Sequence, residues 1–325
     1  MNRSNQVTEQ ATRSGQVAEI IGGYINQTPL LLSRHYQTAG QTKLYFKTEN
    51  FQYTGSFKLR GAFAKLTELS TTTPVITASS GNHGIACAYA TQQTGHQLTI
   101  VLPENVVPEK HDRIKQLGAT TILYAGDAGQ AEQHAQALAE QQSLTYLSPY
   151  NDAMVIAGQG TIGLEILQQL PSVDNVFVSM GGGGLISGIG SVIKTHSPTT
   201  RIIGVSATNS DALAASMKQG RIVETNHKDT LADGIAGAVD PGSITLPLAM
   251  EIIDQVVHIT EQQIMHALRH LAWEEQLIVE GAAALALAAY LADTASYEGQ
   301  NNVVILCGAN FNREKIARII ATTNT

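Results

Sequence analysis

Short apolar runs alternate with longer segments of helical periodicity along most of the chain. The apolar runs predict strands at residues 75–78, 98–102, 121–124, 175–179, 201–206 and 303–306. The longer segments predict helices at residues 59–69, 84–94, 108–117, 128–142, 152–169, 185–196, 261–277 and 313–322. This alternation predicts an α/β fold in which helices cover both faces of a parallel sheet. In such folds ligands bind at the carboxyl ends of the strands.

The length of the chain and the distribution of its strands indicate two lobes. A chain of 325 residues is long enough for more than one hydrophobic core. Residues 70–150 contain their own run of strands and helices, so we predict a small lobe there. It would be inserted into a large lobe formed by residues 1–69 and 151–325. Residues 1–14 are polar, and we expect them to be frayed.

Composition and charge exclude several classes of partner. The chain is 43% hydrophobic and 14% charged, with a formal net charge of -7. Proteins that bind nucleic acid or membrane surfaces need a basic face, and no basic run occurs here. The apolar stretch 281–292 is too short to span a bilayer and predicts a buried helix. We therefore expect a small-molecule ligand.

Cysteine usage and the polar N-terminus favour a cytoplasmic protein. Cys87 and Cys307 are far apart in sequence and show no CxxC spacing, which argues against a disulfide framework or a zinc site. Two unpaired thiols fit a reducing compartment. The first residues are polar, so we expect no signal peptide.

Four consecutive glycines, Gly181 to Gly184, lie between the predicted strand 175–179 and the predicted helix 185–196. Glycines let the backbone approach a ligand closely, and the N-terminus of the helix favours an anion such as phosphate. A dinucleotide fingerprint would require a further glycine at position 186 or 187, where the chain has Ile186 and Ser187. This spacing disfavours a dinucleotide.

A second loop follows the predicted strand 75–78. It contains Ser79, Ser80, Gly81, Asn82 and His83, and ends at a glycine. Serine and asparagine at the start of a helix commonly cap it. The same groups beside a helix N-terminus also suit a carboxylate ligand, so both interpretations stay open.

Lys58 lies between apolar neighbours, Phe57 and Leu59, and follows Thr54 and Ser56, which could cap a helix that begins near Phe57. A lysine in such surroundings can have a lowered pKa and act as nucleophile and base. Its amine can form a Schiff base with an aldehyde, and the two loops can hold a phosphate and a carboxylate. This combination predicts pyridoxal 5′-phosphate (PLP) as cofactor and an amino acid as substrate.

Four motifs occur in an order that resembles the threonine/serine dehydratase–serine racemase family of fold-type II PLP-dependent enzymes. They are residues 56–62, 80–83, 181–185 and 307–310, and the resemblance extends from about residue 20 to the C-terminus. It implies a tryptophan synthase β-like fold, that is, an α/β fold with two lobes, each based on a parallel sheet. It also implies a homodimer.

The resemblance implies a role for each matching residue. Lys58 would hold the cofactor and move the Cα proton, Phe57 would pack against the cofactor ring, and Cys307 would approach the ring nitrogen. Asn82 would bond the ring hydroxyl. The phosphate would be bound by Gly181, Gly182, Gly183, Gly184 and Leu185. The substrate carboxylate would be bound within Ser79, Ser80, Gly81, Asn82 and His83.

The implied activity is that of an ammonia-lyase (dehydratase) that converts L-threonine, L-serine or a related 3-hydroxy amino acid to a 2-oxo acid. An alternative is an amino-acid racemase that uses Lys58 and Ser80 on opposite faces of the substrate. A third is a dehydratase for a bulkier 3-hydroxy amino acid, such as one from hydroxyectoine breakdown, with segments 232–237 and 240–243 bordering the substrate. A protein that only binds the cofactor or an amino acid, without turnover, is the alternative from another class.

Two departures refine the picture. Segment 124–140 has no arginine, which disfavours substrates with a β-carboxylate. The divalent-cation site of the racemases would need carboxylates near Ser206 and Ala212, where only Asp211 is acidic. One carboxylate binds a hard cation poorly, so we expect no such metal there.

Overall fold

The computed structural model describes residues 5–37 and 42–321. Their strands form two sheets. The strands are β1 (Leu30–Leu32), β2 (Lys43–Lys47), β3 (Val75–Ala78), β4 (Leu98–Pro103), β5 (Thr120–Tyr124), β6 (Thr145–Tyr146), β7 (Asn175–Ser179), β8 (Arg201–Ala207), β9 (Gln255–Ile259) and β10 (Asn301–Ile305). The helices are α1 (Asn5–Ile21), α2 (Lys58–Thr67), α3 (Asn82–Thr94), α4 (Pro108–Gln116), α5 (Ala128–Gln142), α6 (Ala153–Gln169), α7 (Gly184–His196), α8 (Ala212–Gln219), α9 (Thr245–Ile252), α10 (Glu261–Trp273), α11 (Gly281–Ala292) and α12 (Arg313–Ala321).

The larger sheet has the strand order β1-β2-β10-β7-β8-β9, and the smaller has the order β5-β4-β3-β6. Strand β1 pairs antiparallel with β2, and the other pairs in both sheets are parallel. The carboxyl ends of the strands within each sheet therefore meet at one edge, where ligands of α/β folds bind. Among the described residues, no helix is both long and apolar enough to cross a bilayer.

The strands of the smaller sheet all come from the predicted small lobe at residues 70–150. The lobe boundaries themselves stay a prediction. Each sheet has its own apolar core, and the larger core includes Phe177 and the buried helix α11, which the apolar stretch predicted. A second core surrounds Phe63 and Ile100 beneath the smaller sheet.

The prediction that residues 1–14 are frayed is wrong from residue 5 onward. Helix α1 begins at Asn5 and packs against α6 and α7. Its buried residues include Val7, Ala11, Val17 and Ile21, which recur at roughly helical spacing. The polar residues between them lie on the other face of the helix and obscured this periodicity in the sequence.

Four charged side chains form a buried cluster between β2, α2 and α6. The guanidinium of Arg60 donates from Nε to Glu49 Oε2 at 2.8 Å and from Nη1 to Glu165 Oε1 at 2.6 Å. Lys47 pairs with the other oxygen of Glu165, and its amine also donates to the carbonyl of Thr28 at 2.7 Å. Two cations and two carboxylates balance, so each buried charge has a partner of opposite sign.

Glu165→Gln tests this cluster. The substitution leaves two buried cations with one carboxylate, which we expect to lower the free energy of unfolding by about 3 kcal/mol, since breaking a buried pair costs roughly 3–5 kcal/mol. Urea unfolding followed by circular dichroism measures the change. The control is Glu314→Gln, which removes an exposed partner of Arg318 and should cost less than about 1 kcal/mol. Equal effects of the two variants would contradict the account.

Candidate active site

Lys58 is the first residue of α2. Thr54 and Ser56, which the sequence offered as possible caps, do not cap this helix, because Phe57 holds the cap position and no side chain bonds the helix start. The hydroxyls of Thr54 and Ser56 are buried without a hydrogen-bond partner within residues 5–37 and 42–321. The backbone fixes the segment instead: Phe57 N donates to the carbonyl of Cys307 at 3.1 Å.

Burial weakens the hold of the Lys58 amine on its proton. Its Nζ donates to the carbonyl of Pro149 at 2.7 Å and lies 5.1 Å from the centre of the Phe57 ring. Burial lowers the pKa of Lys58 to about 8. The unprotonated amine, which is the form that attacks an aldehyde, is therefore far more populated near neutral pH than in an ordinary lysine.

The four glycines lie between β7 and α7, as predicted, with Gly184 as the first helical residue and Leu185 buried behind it. Gly183 has a φ of 90°, which a residue with a side chain rarely adopts. A Cβ at Gly182 would lie 2.5 Å from the ring of Tyr150. Glycine at position 182 therefore lets the Tyr150 ring pack directly against the loop. The N–H groups at the start of α7 are of the kind that binds a phosphate.

Tyr150 connects the glycine loop to its surroundings. It follows Pro149, the acceptor of the Lys58 amine, so the lysine and the loop border one space. The hydroxyl of Tyr150 accepts from the backbone N of Asp240 at 2.7 Å. A Cβ at Gly181 would lie 3.0 Å from Cα of Ile235. Segment 232–237 thus lies against the loop and segment 240–243 against Tyr150, while their contact with substrate stays a prediction.

The second loop lies between β3 and α3. Helix α3 begins at Asn82, and Gly81 in the cap position has no side chain to cap it, so the capping interpretation of the serines is wrong. Ser79 Oγ accepts from Gly81 N at 3.1 Å within the loop itself. The Ser80 hydroxyl is partly exposed and has no hydrogen-bond partner among the described residues. Ser79, Ser80 and Gly81 are therefore accessible to a ligand.

His83 faces the protein interior. Its Nε2 lies 2.9 Å from the carbonyl of Leu147 and 3.5 Å from Sγ of Cys87. Burial and the nearby charge of Lys58 lower the pKa of His83 to about 3, so the imidazole is neutral. Its contact with the substrate carboxylate stays a prediction. In the structure the ring bonds the backbone carbonyl of Leu147.

Asn82 belongs to a hydrogen-bonded group that the sequence did not indicate. Its Nδ2 donates to Glu280 Oε1 at 2.8 Å, and its Oδ1 accepts from Asn310 Nδ2 at 2.6 Å. The backbone N of Asn310 donates to the other oxygen of Glu280 at 3.0 Å. Burial raises the pKa of Glu280 to about 7. Glu280 was not singled out in the sequence because acidic residues are common just before a helix, where they interact favourably with the helix dipole.

Cys307 is buried two residues beyond β10. Burial and the nearby Glu280 raise the pKa of its thiol well above the ordinary value, so the sulfur is a neutral thiol. The backbone bond from Phe57 to the Cys307 carbonyl places Cys307 beside the lysine segment. A bond from the thiol to the cofactor ring stays a prediction.

Asp211 stands apart from any metal cluster. Within residues 5–37 and 42–321, no group of three or more His, Cys, Asp or Glu side chains is placed to hold a metal ion. The carboxylate of Asp211 lies 3.4 Å from His258 Nε2. The expectation that no divalent cation binds there stays a prediction.

The residues present fit a phosphorylated aldehyde cofactor. Lys58 supplies an amine of lowered pKa, the glycine loop supplies backbone N–H groups at the start of α7, and Asn82 supplies an amide at the start of α3. An α/β protein with these groups at the carboxyl ends of its parallel strands belongs to the class of PLP-binding enzymes.

Comparison with known proteins gives the family. The family model described as "Pyridoxal-phosphate dependent enzyme" matches residues 21–308, and the chain belongs to that family. It is 38% identical to the L-threonine ammonia-lyase of Thermotoga maritima, over 91% of this chain and 74% of that one. The processed threonine deaminase isoform 2 of Solanum lycopersicum superposes with a TM-score of 0.92 at 33% identity, covering 98% of this chain and 88% of that one. Maize serine racemase superposes with a TM-score of 0.87 at 29% identity, covering 94% and 95%.

Glu280→Gln tests the raised pKa of this carboxyl group. Because the folded pKa of about 7 exceeds the unfolded value near ~4.3, the wild type loses stability as the pH rises between these values. Glutamine does not titrate, so the free energy of unfolding of the variant should rise relative to wild type by about 2–3 kcal/mol between about pH 5 and about pH 7. Urea unfolding across this range measures the difference. A difference that does not vary with pH would contradict it, and Glu109→Gln, at an exposed position, is the matched control.

Proposed function

We propose that this protein is a PLP-dependent ammonia-lyase that converts L-threonine or L-serine to a 2-oxo acid and ammonia. The single observation that carries the proposal is the Lys58 amine, held by Pro149 beside the glycine loop with its pKa lowered to about 8. Support also comes from the likeness to an L-threonine ammonia-lyase and to a threonine deaminase along most of the chain.

The proposed chemistry divides between the cofactor and the protein. When bound, PLP supplies the electron-withdrawing ring that acidifies the Cα–H bond of the amino acid. Lys58 would bind the cofactor and, when displaced by the substrate amine, take the proton from Cα as general base. The N–H groups of the glycine loop would hold the phosphate, and the amide of Asn82 the ring hydroxyl. Overall, L-threonine gives 2-oxobutanoate and ammonia, because the water lost from the β-carbon is regained by hydrolysis.

The second loop would position the substrate carboxylate. Ser79, Ser80 and Gly81 are partly exposed at the start of α3, where N–H groups and the helix dipole attract an anion. Fixing the carboxylate there would orient the Cα–H bond toward Lys58. This orientation favours removal of the α-proton over other reactions of the same amino acid.

Cys307 bears on the type of reaction. A neutral thiol does not stabilise a protonated pyridine nitrogen as a carboxylate would, and burial keeps this thiol neutral. With Cys307 beside the ring nitrogen, the cofactor would be a weaker electron sink. That favours prompt loss of a β-hydroxyl group over transamination.

Amino-acid racemisation is the second candidate. The observation that favours it is the Ser80 hydroxyl, which is accessible and has no partner among the described residues, so it could exchange a proton on the face opposite Lys58. The likeness to maize serine racemase supports the same possibility.

We further propose that the enzyme acts in the cytoplasm as a homodimer. Its two cysteines are free and buried, as in proteins of a reducing compartment. The dimer follows the family resemblance, and the exposed rings of Tyr53 and Trp273 offer apolar surface for a subunit contact.

Lys58→Ala tests the proposed function. The wild type with added PLP should show an absorption band near ~410 nm and release 2-oxo acid from L-threonine or L-serine, whereas the variant should lose the band and at least about 10³-fold in rate. The control is Lys65→Ala on the same helix, whose amine pairs with Glu68 and Asp152, and which should keep both properties. A band that persists in Lys58→Ala, or a wild type that releases no oxo acid from any 3-hydroxy amino acid, would contradict the proposal.

Ser80→Ala separates the two candidate activities. If Ser80 exchanges a proton with the substrate, D-serine formation from L-serine should fall at least about 10²-fold, while release of 2-oxo acid continues. Chiral chromatography and an oxo-acid assay on the same samples give both rates. A wild type that forms no D-serine would remove the racemase candidate.

A further inference from the structure

The glycine loop is packed on one side by Tyr150. A Cβ at Gly182 would lie 2.5 Å from the Tyr150 ring, and a Cβ at Gly184 would lie 2.9 Å from Cβ of Tyr150. Neither glycine has the left-handed φ that other residues avoid, whereas Gly183 between them does. Positions 182 and 184 therefore need glycine because Tyr150 occupies the space that a side chain would fill.

Thr245 holds the same loop from another direction. It is the first residue of α9 and is fully buried, and its hydroxyl donates to the carbonyl of Gly182 at 2.7 Å. The hydroxyl of Ser243 lies 2.8 Å from that of Thr245. Because the one hydroxyl proton of Thr245 goes to Gly182, Ser243 is the donor of this second bond. The backbone at Gly182 is thus fixed both by a packed ring and by a buried hydrogen bond.

Tyr150 is also bonded to the segment that ends at Thr245. The Tyr150 hydroxyl accepts from the backbone N of Asp240 at 2.7 Å. Next to it, Asn151 Oδ1 accepts from the backbone N of Ile244 at 3.0 Å. The two segments therefore contact the glycine loop from two directions and are bonded to each other.

The residue before Tyr150 contacts the reactive amine. The carbonyl of Pro149 accepts from Lys58 Nζ at 2.7 Å, and Tyr150 follows directly in the chain. Pro149 and Tyr150 therefore link the amine to the glycine loop through one peptide bond. A cofactor whose aldehyde binds at Lys58 and whose phosphate binds at the loop needs a fixed separation between these two points.

We propose that Tyr150 is a positioning residue. It holds Gly182, and with it the N–H groups of the loop, at the distance from Lys58 that the cofactor spans. Because it takes the glycine loop as the phosphate site, this role rests on the proposed function. The bond to Asp240 keeps the Tyr150 ring against the loop, so loss of the hydroxyl weakens the binding of a phosphorylated ligand more than that of the same ligand without phosphate.

Tyr150→Phe tests this role with PLP and with pyridoxal, which has the aldehyde but no phosphate. Titration of the full-length protein, freed of cofactor, gives both dissociation constants from the change in visible absorbance. Wild type should bind PLP more tightly than pyridoxal. In the variant this preference for PLP should fall at least about fivefold, because a hydrogen bond that orders the loop is lost. The dissociation constant of pyridoxal should change less than about twofold.

The control is Tyr146→Phe, the same substitution four residues earlier. The Tyr146 hydroxyl donates to Glu132 Oε1, on α5, at 2.8 Å. This variant should change the preference for PLP less than about twofold. An unchanged preference in Tyr150→Phe, or an equal fall in the two variants, would overturn the proposal.

Gly182→Ala keeps the proposal falsifiable if Tyr150→Phe does not fold. The added methyl group would meet the Tyr150 ring and push the loop away from it. The preference for PLP should then fall at least about tenfold. A preference equal to that of wild type would mean that Tyr150 does not hold the loop, which overturns the proposal.

These outcomes are distinct from a failure of the proposed function. A wild type that binds PLP and pyridoxal equally tightly contradicts the assignment of the phosphate to the glycine loop, and with it the role of Tyr150. A preference for PLP that Tyr150→Phe leaves unchanged overturns only the role of Tyr150. Absence of oxo-acid release, together with the expected fall in Tyr150→Phe, contradicts the lyase activity and leaves the role of Tyr150 supported.

Discussion

The buried ion cluster of Arg60, Glu49, Glu165 and Lys47 is the constraint on which the site depends. Arg60 lies two residues beyond Lys58, so its fork of bonds to Glu49 and Glu165 fixes the first turn of α2 against α6 and the segment after β2. Desolvating four charges is costly, and the cluster is acceptable only because each charge is paired. Lys58 therefore begins a helix that has no side-chain cap, and the ion pairs of Arg60 hold the first turn of this helix in place.

Burial sets the protonation state of the reactive groups of the candidate active site. It lowers the pKa of Lys58 to about 8, raises that of Glu280 to about 7 and raises that of the Cys307 thiol well above its ordinary range. All three groups thus move toward their neutral forms. The fixed positive potential at the site comes from the helix N-termini of α3 and α7, which suits a ligand with a phosphate and a carboxylate.

The sequence predicted those parts of the fold and site that are local. Strands such as β7 and β8 are nearly continuous apolar runs, and Lys58 and the glycine loop carry their chemistry in adjacent residues. Strand β2 was not predicted because it begins and ends with a lysine. Lys47 can be buried because its amine pairs with Glu165. Glu280 and the carbonyl of Pro149 join the site through contacts between segments far apart in the chain, so no local pattern reveals them.

The central claim is that the Lys58 amine is the group that holds the cofactor. Borohydride reduction of the purified protein fixes a pyridoxyl phosphate group permanently to the amine that binds it, and peptide mass spectrometry then locates it. We expect a modified peptide 48–60, uncleaved by trypsin at Lys58. A label on any other lysine, or no label after incubation with PLP, would contradict it.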